Sequence, residues 1–270
     1  PPPCRPAGGR PARPATRMDT RRLKLLSANI QAGSSTRGYS DYVSRSWSHV
    51  LPTNKRGALD QIARLAGEHD IVGLQESDPG SLRSGFTNQT HYLAERAGFD
   101  YWSHQPNRRM GGVASSANGL LAKIEPVEVD DHPLPGRVRG RGVLLARFGG
   151  GDDGLVVAVA HLSLGAASRL SQLAFIAELL HDARHAVLMG DFNCTPDQPE
   201  MELVYKRTRL QPPDCVVATF PSWKPVKAID HILVTPGLGR CADHRALPAA
   251  LSDHLALSIE LDVPESALRA

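Results

Sequence analysis

The chain has 270 residues, 41% of them hydrophobic, and a formal charge of +3. That is enough apolar material for one sizeable core, and no apolar run approaches the ~18–20 residues that carry a helix across a bilayer. Residues 1–22 hold six arginines against Asp19; +3 overall less +5 there leaves −2 for the rest, which counts against a broad-surface nucleic-acid binder.

Residues 1–22 are rich in Pro and Arg and have almost nothing to bury, so a disordered basic tail is expected there. They lack the apolar stretch of a secretory signal, and Arg21-Arg22 leads into "LKLLSANI", which reads as a first strand. Residues 23–270 are expected to form one domain, since no repeat or linker interrupts them. Residues 42–51 place Val43, Trp47 and Val50 at helical spacing, and residues 57–69 put Leu59, Ile62 and Ala66 on one helix face. "DIVGLQE" (70–76) is a short buried strand ending in an acid, and residues 90–99 read as a helix closed by Gly98. Strands are expected at 118–124, 141–148 and 154–163. A helix follows over 166–182, with Leu170, Leu173, Ile176, Ala177 and Leu180 as its apolar stripe. The strand "HAVLMGD" (185–191), a short helix near 198–207 and strands at 227–234 and 254–262 complete the order. The rhythm is α/β without strict β-α-β alternation, so a mixed pair of sheets covered by helices fits better than a doubly wound parallel sheet.

Cys4, Cys194, Cys215 and Cys241 are scattered without a C-x-x-C, which predicts no disulfide framework and a reducing, cytoplasmic setting. Alternation places Cys194 on the face opposite Asp191 and Asn193, against a catalytic thiol.

Polar residues recur where apolar strands begin or end. "SANIQ" carries Asn29, "GLQES" Glu76, "VAHLS" His161, "GDFN" Asp191 and Asn193, "AIDHI" Asp230, and "LSDHL" Asp253 and His254. A buried charge must be paired or hydrogen-bonded, and six strands with complementary polar ends suggest one shared cleft. His231 alternates away from Asp230 and reads as structural; "CADHR" (241–245) reads as surface.

"LQE", "AHLSLG", "GDFN" and, about 60 residues further on, "SDH" stand in an order that resembles the endonuclease/exonuclease/phosphatase superfamily. Its members include deoxyribonucleases, abasic-site endonucleases, neutral sphingomyelinases and inositol-polyphosphate 5-phosphatases. The resemblance runs from about Leu23 to Asp262. It implies a four-layer α-β-β-α sandwich, two mixed, mostly antiparallel sheets packed face to face. It also implies a phosphoesterase using Mg²⁺ or Mn²⁺ and an attacking water. Glu76 would ligate the metal, with Asn29 orienting Glu76 or touching the ion and Asp253 assisting; hard oxygen ligands suit such ions. Asp191 would orient or deprotonate the water, and Asn193 would hold it or a phosphate oxygen. His254, fixed by Asp230, would bond the phosphate or take the water's proton, and His161 would contact the phosphate or protonate the leaving oxygen. Asn118, Arg169 and Gln172 are expected to touch substrate; residues 80–91 and 105–112 read as Arg- and amide-bearing loops whose chemistry suits phosphate, with a solvated loop the commoner explanation for each. Gln31 stands where some abasic-site endonucleases carry Asp, and no long basic loop is present to grip a duplex. The substrate stays open between nucleic acid, phospholipid and a small phosphorylated molecule. A silent binding module with this fold is the non-enzymatic alternative, and a monomer without an obligate protein partner is expected.

Overall fold

The computed structural model describes residues 19–31, 55–81, 84–110, 114–136, 140–247 and 252–269. The helix expected over 42–51 lies outside them. Eleven strands form two sheets among the described residues. The first has the order β10-β11-β1-β2-β4-β3 and the second β5-β6-β7-β8-β9. In chain order these are β1 (Thr20–Asn29), β2 (Ile71–Ser77), β3 (Tyr101–Met110), β4 (Ala114–Ala122), β5 (Glu128–Pro133), β6 (Gly142–Phe148), β7 (Leu155–His161), β8 (His185–Asp191), β9 (Asp230–Val234), β10 (Gly239–Leu247) and β11 (Ala256–Pro264). Helices α1 (Lys55–Gly67) and α2 (Gln89–Ala97) cover one sheet; α3 (Ala166–Leu180) and α4 (Pro199–Arg207) cover the other.

The layering follows from strand periodicity. Successive side chains point to opposite faces, so one strand feeds two cores. Leu25, Ile71, Val157, Val159 and Met189 pack between the sheets. Leu26, Val72 and Leu74 face α1 and α2, while Val156, Ala158 and Leu188 face α3 and α4. Strands β7 and β8 are buried along their whole length, hence their unbroken apolar character. Helix α2 starts at Asn88, whose side chain accepts from His91 N, and ends at Gly98 in the left-handed conformation.

Two pairs, β1–β2 and β7–β8, are parallel, and the other ladders are antiparallel. This arrangement gathers the site. The C-terminal ends of β1, β2, β7 and β8 carry Asn29, Glu76, His161 and Asp191. Strands β9 and β11 run the other way beside them, so Asp230 opens β9 and Asp253-His254 precede β11 at the same rim.

Several expectations are corrected. Thr20, Arg21 and Arg22, expected within the tail, belong to β1 and pair with Pro264, Val263 and Asp262; residues 1–18 lie outside the described residues. Residues 105–110 of the loop expected over 105–112 belong to β3; the strand tolerates Pro106 because it lies at a sheet edge. "CADHR" lies in β10, and His244 is buried with Nε2 2.7 Å from Ile232 O. Leu170 is 45% exposed; Arg169 occupies the buried stripe instead. Cys215 is disulfide-bonded, although the scattered cysteines predict no disulfide framework. Among the described residues, no helix is long and apolar enough to cross a membrane.

Candidate active site

Backbone conformation fixes the key side chains before any contact between them. Glu76 has φ 56° and sits in an irregularity where β2 leaves register with β4 between Leu74 and Ser77. Such a bulge re-aims a side chain. Asn193 (φ 53°) and Gln31 (φ 41°) are also left-handed, a costly conformation outside glycine that persists where the surroundings enforce it. Gly190, at φ 145°, precedes Asp191; a Cβ there would lie 1.8 Å from Ala160 O.

The side chains then converge. Asn29 Nδ2 donates to Asp191 Oδ2 at 3.1 Å and lies 3.5 Å from Glu76 Oε1. Asn29 Oδ1 accepts from Gln31 N, so the amide NH₂ faces the carboxylates. His161 Nε2 is 3.5 Å from Asp191 Oδ2 and 4.0 Å from Glu76 Oε1. Asn193 N donates to Asp191 Oδ1 at 3.0 Å, and Asn193 Nδ2 donates to Leu162 O. His254 Nδ1 meets Asp230 Oδ2 at 2.8 Å, while its Nε2 lies 3.8 Å from Asp191 and 3.7 Å from Asp253. Thr219, invisible to sequence reasoning, donates to the same Asp230 oxygen at 2.5 Å and is fully buried. Phe220 packs against the His254 ring at 4.9 Å. Ser252 Oγ accepts from His254 N at 3.0 Å, and Asp253 N donates to Gln31 Oε1.

Electrostatics separate the groups. Burial opposes charge on His254, but Asp230, then Asp191 and Asp253, outweigh it and raise the imidazole to about 10. His254 is therefore a cation at neutral pH and a donor through Nε2. Burial, with Arg141 and His254 acting in the same direction, holds His161 well below its ordinary value, so it is neutral. Burial and then Asp230 push Asp191 up to about 7, against His254, Asn193 N and Asn29. A carboxylate near 7 is suited to general-base work at neutral pH. Burial pushes the Cys194 thiol to about 12, which leaves it inert. His231 faces away, as expected, with Nε2 2.8 Å from Cys194 O.

Glu76, Asp191, Asp253, His161 and His254 line a cleft of about 640 Å³. Three of the residues expected at substrate are placed otherwise. Asn118 is fully buried; its Nδ2 lies within 2.7–3.4 Å of Gly142 O, Gln105 Oε1 and Val159 O, so it joins the two sheets and cannot reach a ligand. Gln172 is also fully buried and clamps Ser163 through N and Oγ, both at 2.9 Å. Arg169 reaches the cleft wall but is buried against Glu200, with Nε and a terminal nitrogen 2.8 and 2.7 Å from Oε1. Both helix residues thus shape the turn after His161 instead of facing solvent or substrate. Arg141 and Lys227, which also line the cleft, carry no motif that singles them out.

The endonuclease/exonuclease/phosphatase family model matches residues 26–254, which span every one of these site residues. The chain belongs to the endonuclease/exonuclease/phosphatase family. Its fold is similar to that of an endonuclease/exonuclease/phosphatase from Beutenbergia cavernae, with a TM-score of 0.68 at 20% identity over 90% of this chain and 72% of that one. A mannosyl-6-phosphatase from Bacteroides thetaiotaomicron superposes with a TM-score of 0.63 at 18% identity, over 88% of this chain and 99% of that one. ANGEL2, a 2′,3′-cyclic phosphatase, gives 0.62 at 14% identity, over 91% and 96%. No curated protein matches the sequence significantly.

Proposed function

We propose that this protein is a divalent-metal-dependent phosphoesterase that hydrolyses a phosphate ester by in-line attack of water. The observation that carries the reading is the pairing, in one cleft, of a cationic His254 with an Asp191 carboxylate raised to about 7, at 3.8 Å. One group is a proton donor to a non-bridging phosphate oxygen, the other an acceptor for the water's proton. Asn193 N and Asn29 Nδ2 fix the two Asp191 oxygens, so the carboxylate needs no reorganisation as charge develops. Neutral His161 adds an uncharged donor beside Asp191. Phosphate hydrolysis demands positioning and charge stabilisation of this kind.

The donor set fits a hard cation. Glu76, Asp191, Asp230 and Asp253 crowd one rim; burial raises both Asp191 and Asp253, with Asp230 adding to it at Asp191 and Glu76 at Asp253, each against the lowering charge of His254. Asp191, Asp230 and His254 also stand close enough to share an ion. Asp230 Oδ2, however, is already engaged by His254 and Thr219. Glu76 with Asp253 is therefore the better pair to hold the metal. Bound there, Mg²⁺ or Mn²⁺ would supply a Lewis acid for a phosphoryl oxygen.

Structural likeness to a mannosyl-6-phosphatase and a cyclic phosphatase is compatible with mono- and diesters alike. The test is turnover of p-nitrophenyl phosphate, bis-p-nitrophenyl phosphate, plasmid DNA, RNA and phospholipids by purified protein, with EDTA and then with Mg²⁺ or Mn²⁺. Metal-restored hydrolysis supports the reading. Undiminished turnover after exhaustive metal removal, or none with any ester, refutes it.

A further inference from the structure

The cleft opens at the end of the sandwich where β2 and β7 finish and β9 begins. Connections at that rim hold large apolar side chains out in solvent. Phe86, on the loop from β2 to α2, is 72% exposed; Leu164, in the turn from β7 to α3, is 78% exposed; Val226, at the tip that leads into β9, is 65% exposed. Leu164 lines the cleft itself, and the tip carrying Val226 is bounded by Phe220 and Lys227, which line it too.

Hydrogen bonds fix the backbone beneath each of these side chains. Fully buried Asp78 accepts from Gly80 N at 2.9 Å and Ser81 N at 2.7 Å, and Ser81 O accepts from Phe86 N at 2.8 Å. Phe86 stays at φ 61°, a strained value outside glycine. Buried Arg169 donates to Ser163 O and Leu164 O. Val226 N and Lys227 N both donate to Phe220 O, at 3.0 and 2.9 Å, which closes the tip, and Ser222 N ties it to Asp253 O at 2.7 Å. Backbone held in this way cannot fold back to bury its apolar groups, so only a partner can cover them.

Charge and residue type select the partner. The tip also carries Lys224 and Lys227, both exposed, and neither has an ion-pair partner among the described residues. Half-buried Trp223 stands between them and Phe220 in the chain. Apolar side chains and Trp beside lysines suit an anionic bilayer: the former enter the boundary between headgroups and acyl chains, and the latter meet anionic headgroups. A nucleic acid would use the lysines but would leave Leu164 and Val226 without a counterpart.

We propose that this rim is a lipid-docking surface and that the substrate is a phospholipid whose headgroup phosphate enters the cleft from an anionic bilayer. Phe86, Leu164 and Val226 bury in the bilayer boundary, and Lys224 and Lys227 face its anionic lipids. The contact is peripheral, since no helix among the described residues is long and apolar enough to cross a membrane. What happens to the phosphate in the cleft rests on the phosphoesterase reading above.

Co-sedimentation with phosphatidylcholine vesicles, with and without phosphatidylserine, tests the surface without metal or turnover. Wild type should bind the phosphatidylserine vesicles more tightly, and salt should weaken that binding. The Lys224→Glu, Lys227→Glu double mutant should lose roughly fivefold or more in affinity per lysine, and the Phe86→Asp, Val226→Asp double mutant roughly tenfold or more. Melting temperatures control for folding. With Mg²⁺, the ratio of turnover on phospholipid vesicles to turnover on bis-p-nitrophenyl phosphate should fall by similar factors. Wild type that ignores phosphatidylserine vesicles, vesicle binding that both double mutants retain, or tighter binding to plasmid DNA than to vesicles overturns the proposal. The two readings fail separately. Hydrolysis of soluble esters without vesicle binding keeps the phosphoesterase and sinks the lipid surface. Vesicle binding that the mutants lose, with no ester hydrolysed, supports the surface and refutes the phosphoesterase.

Discussion

Replacing Asp230 by Asn isolates what holds His254 in its charged form. The substitution is nearly isosteric and leaves Thr219 an acceptor, but it removes the negative charge 2.8 Å from His254 Nδ1. Raising an imidazole from 6.5 to about 10 corresponds to about 5 kcal/mol of preference for the imidazolium. Burial works against that preference, and Asp230 is the largest influence in its favour, ahead of Asp191 and Asp253. Without Asp230, burial should prevail and His254 should titrate at least one pH unit lower. Activity needs His254 protonated, so the alkaline limb of kcat/KM should fall from near pH 10 towards neutrality. If His254 falls to near 7, about a tenth of it stays protonated at pH 8, so the rate there should drop about tenfold. Stability follows with a definite sign. A His whose folded value lies above its unfolded one stabilises fully below 6.5, and that contribution is lost as pH rises through about 10. Wild-type melting temperature should therefore decline from pH 6.5 to 10, and Asp230→Asn should flatten that decline. Rate profiles and melting curves at half-unit pH intervals measure both. An unchanged alkaline limb in a folded Asp230→Asn protein would refute the assignment of His254 as a cation set by Asp230.

Three further outcomes are expected. Gly190→Ala should lower the melting temperature by roughly 6–15 °C and nearly abolish activity, because its Cβ would lie 1.8 Å from Ala160 O; calorimetry showing a wild-type transition would contradict that. Mg²⁺ should raise the melting temperature of wild type more than that of Glu76→Gln, most visibly above pH 7 where Asp191 is charged, and an equal rise in both would move the metal away from Glu76. Asp191→Asn and His254→Ala should each cost roughly 10²–10⁴-fold in kcat/KM, with the double mutant little worse than the worse single one; simple multiplication of the two losses would mean the groups act independently.

How far the sequence could be read depends on what each residue's role imposes on its neighbours. Strands β1, β2, β7, β8 and β11 are sandwiched between other strands and between two packed layers, so burial forces apolar runs that the eye can find. The three strands that escaped, β3, β5 and β10, all lie at sheet edges. There one ladder is missing and polar, exposed sequences such as "EVDDHP" are tolerated. The site residues that were legible share one property: each is a polar group where an apolar strand begins or ends, so Asn29, Glu76, His161, Asp191, Asp230 and His254 stand out against their surroundings. Thr219 and Arg141 sit in connecting chain, and nothing local distinguishes them from ordinary loop residues until the fold brings them to Asp230 and His161.

Asn118, Arg169 and Gln172 failed in the opposite way. Each has chemistry that suits a phosphate, but close packing spends it on backbone carbonyls, Glu200 and Ser163. Donor capacity alone therefore does not identify a ligand contact; the donor must also lack a better internal acceptor. Backbone strain sorts these cases more sharply than residue type. Of the four non-glycine residues at positive φ among the described residues, Glu76, Asn193 and Gln31 line the cleft, and only the exposed Phe86 does not. Asn118 and Gln172 lie within a strand and a helix and pack into the interior. Strain of this kind costs about 1–3 kcal/mol per residue. Three strained residues on one wall imply that the surrounding structure, with the two sheets joined beneath the rim by Asn118, holds them there at that cost.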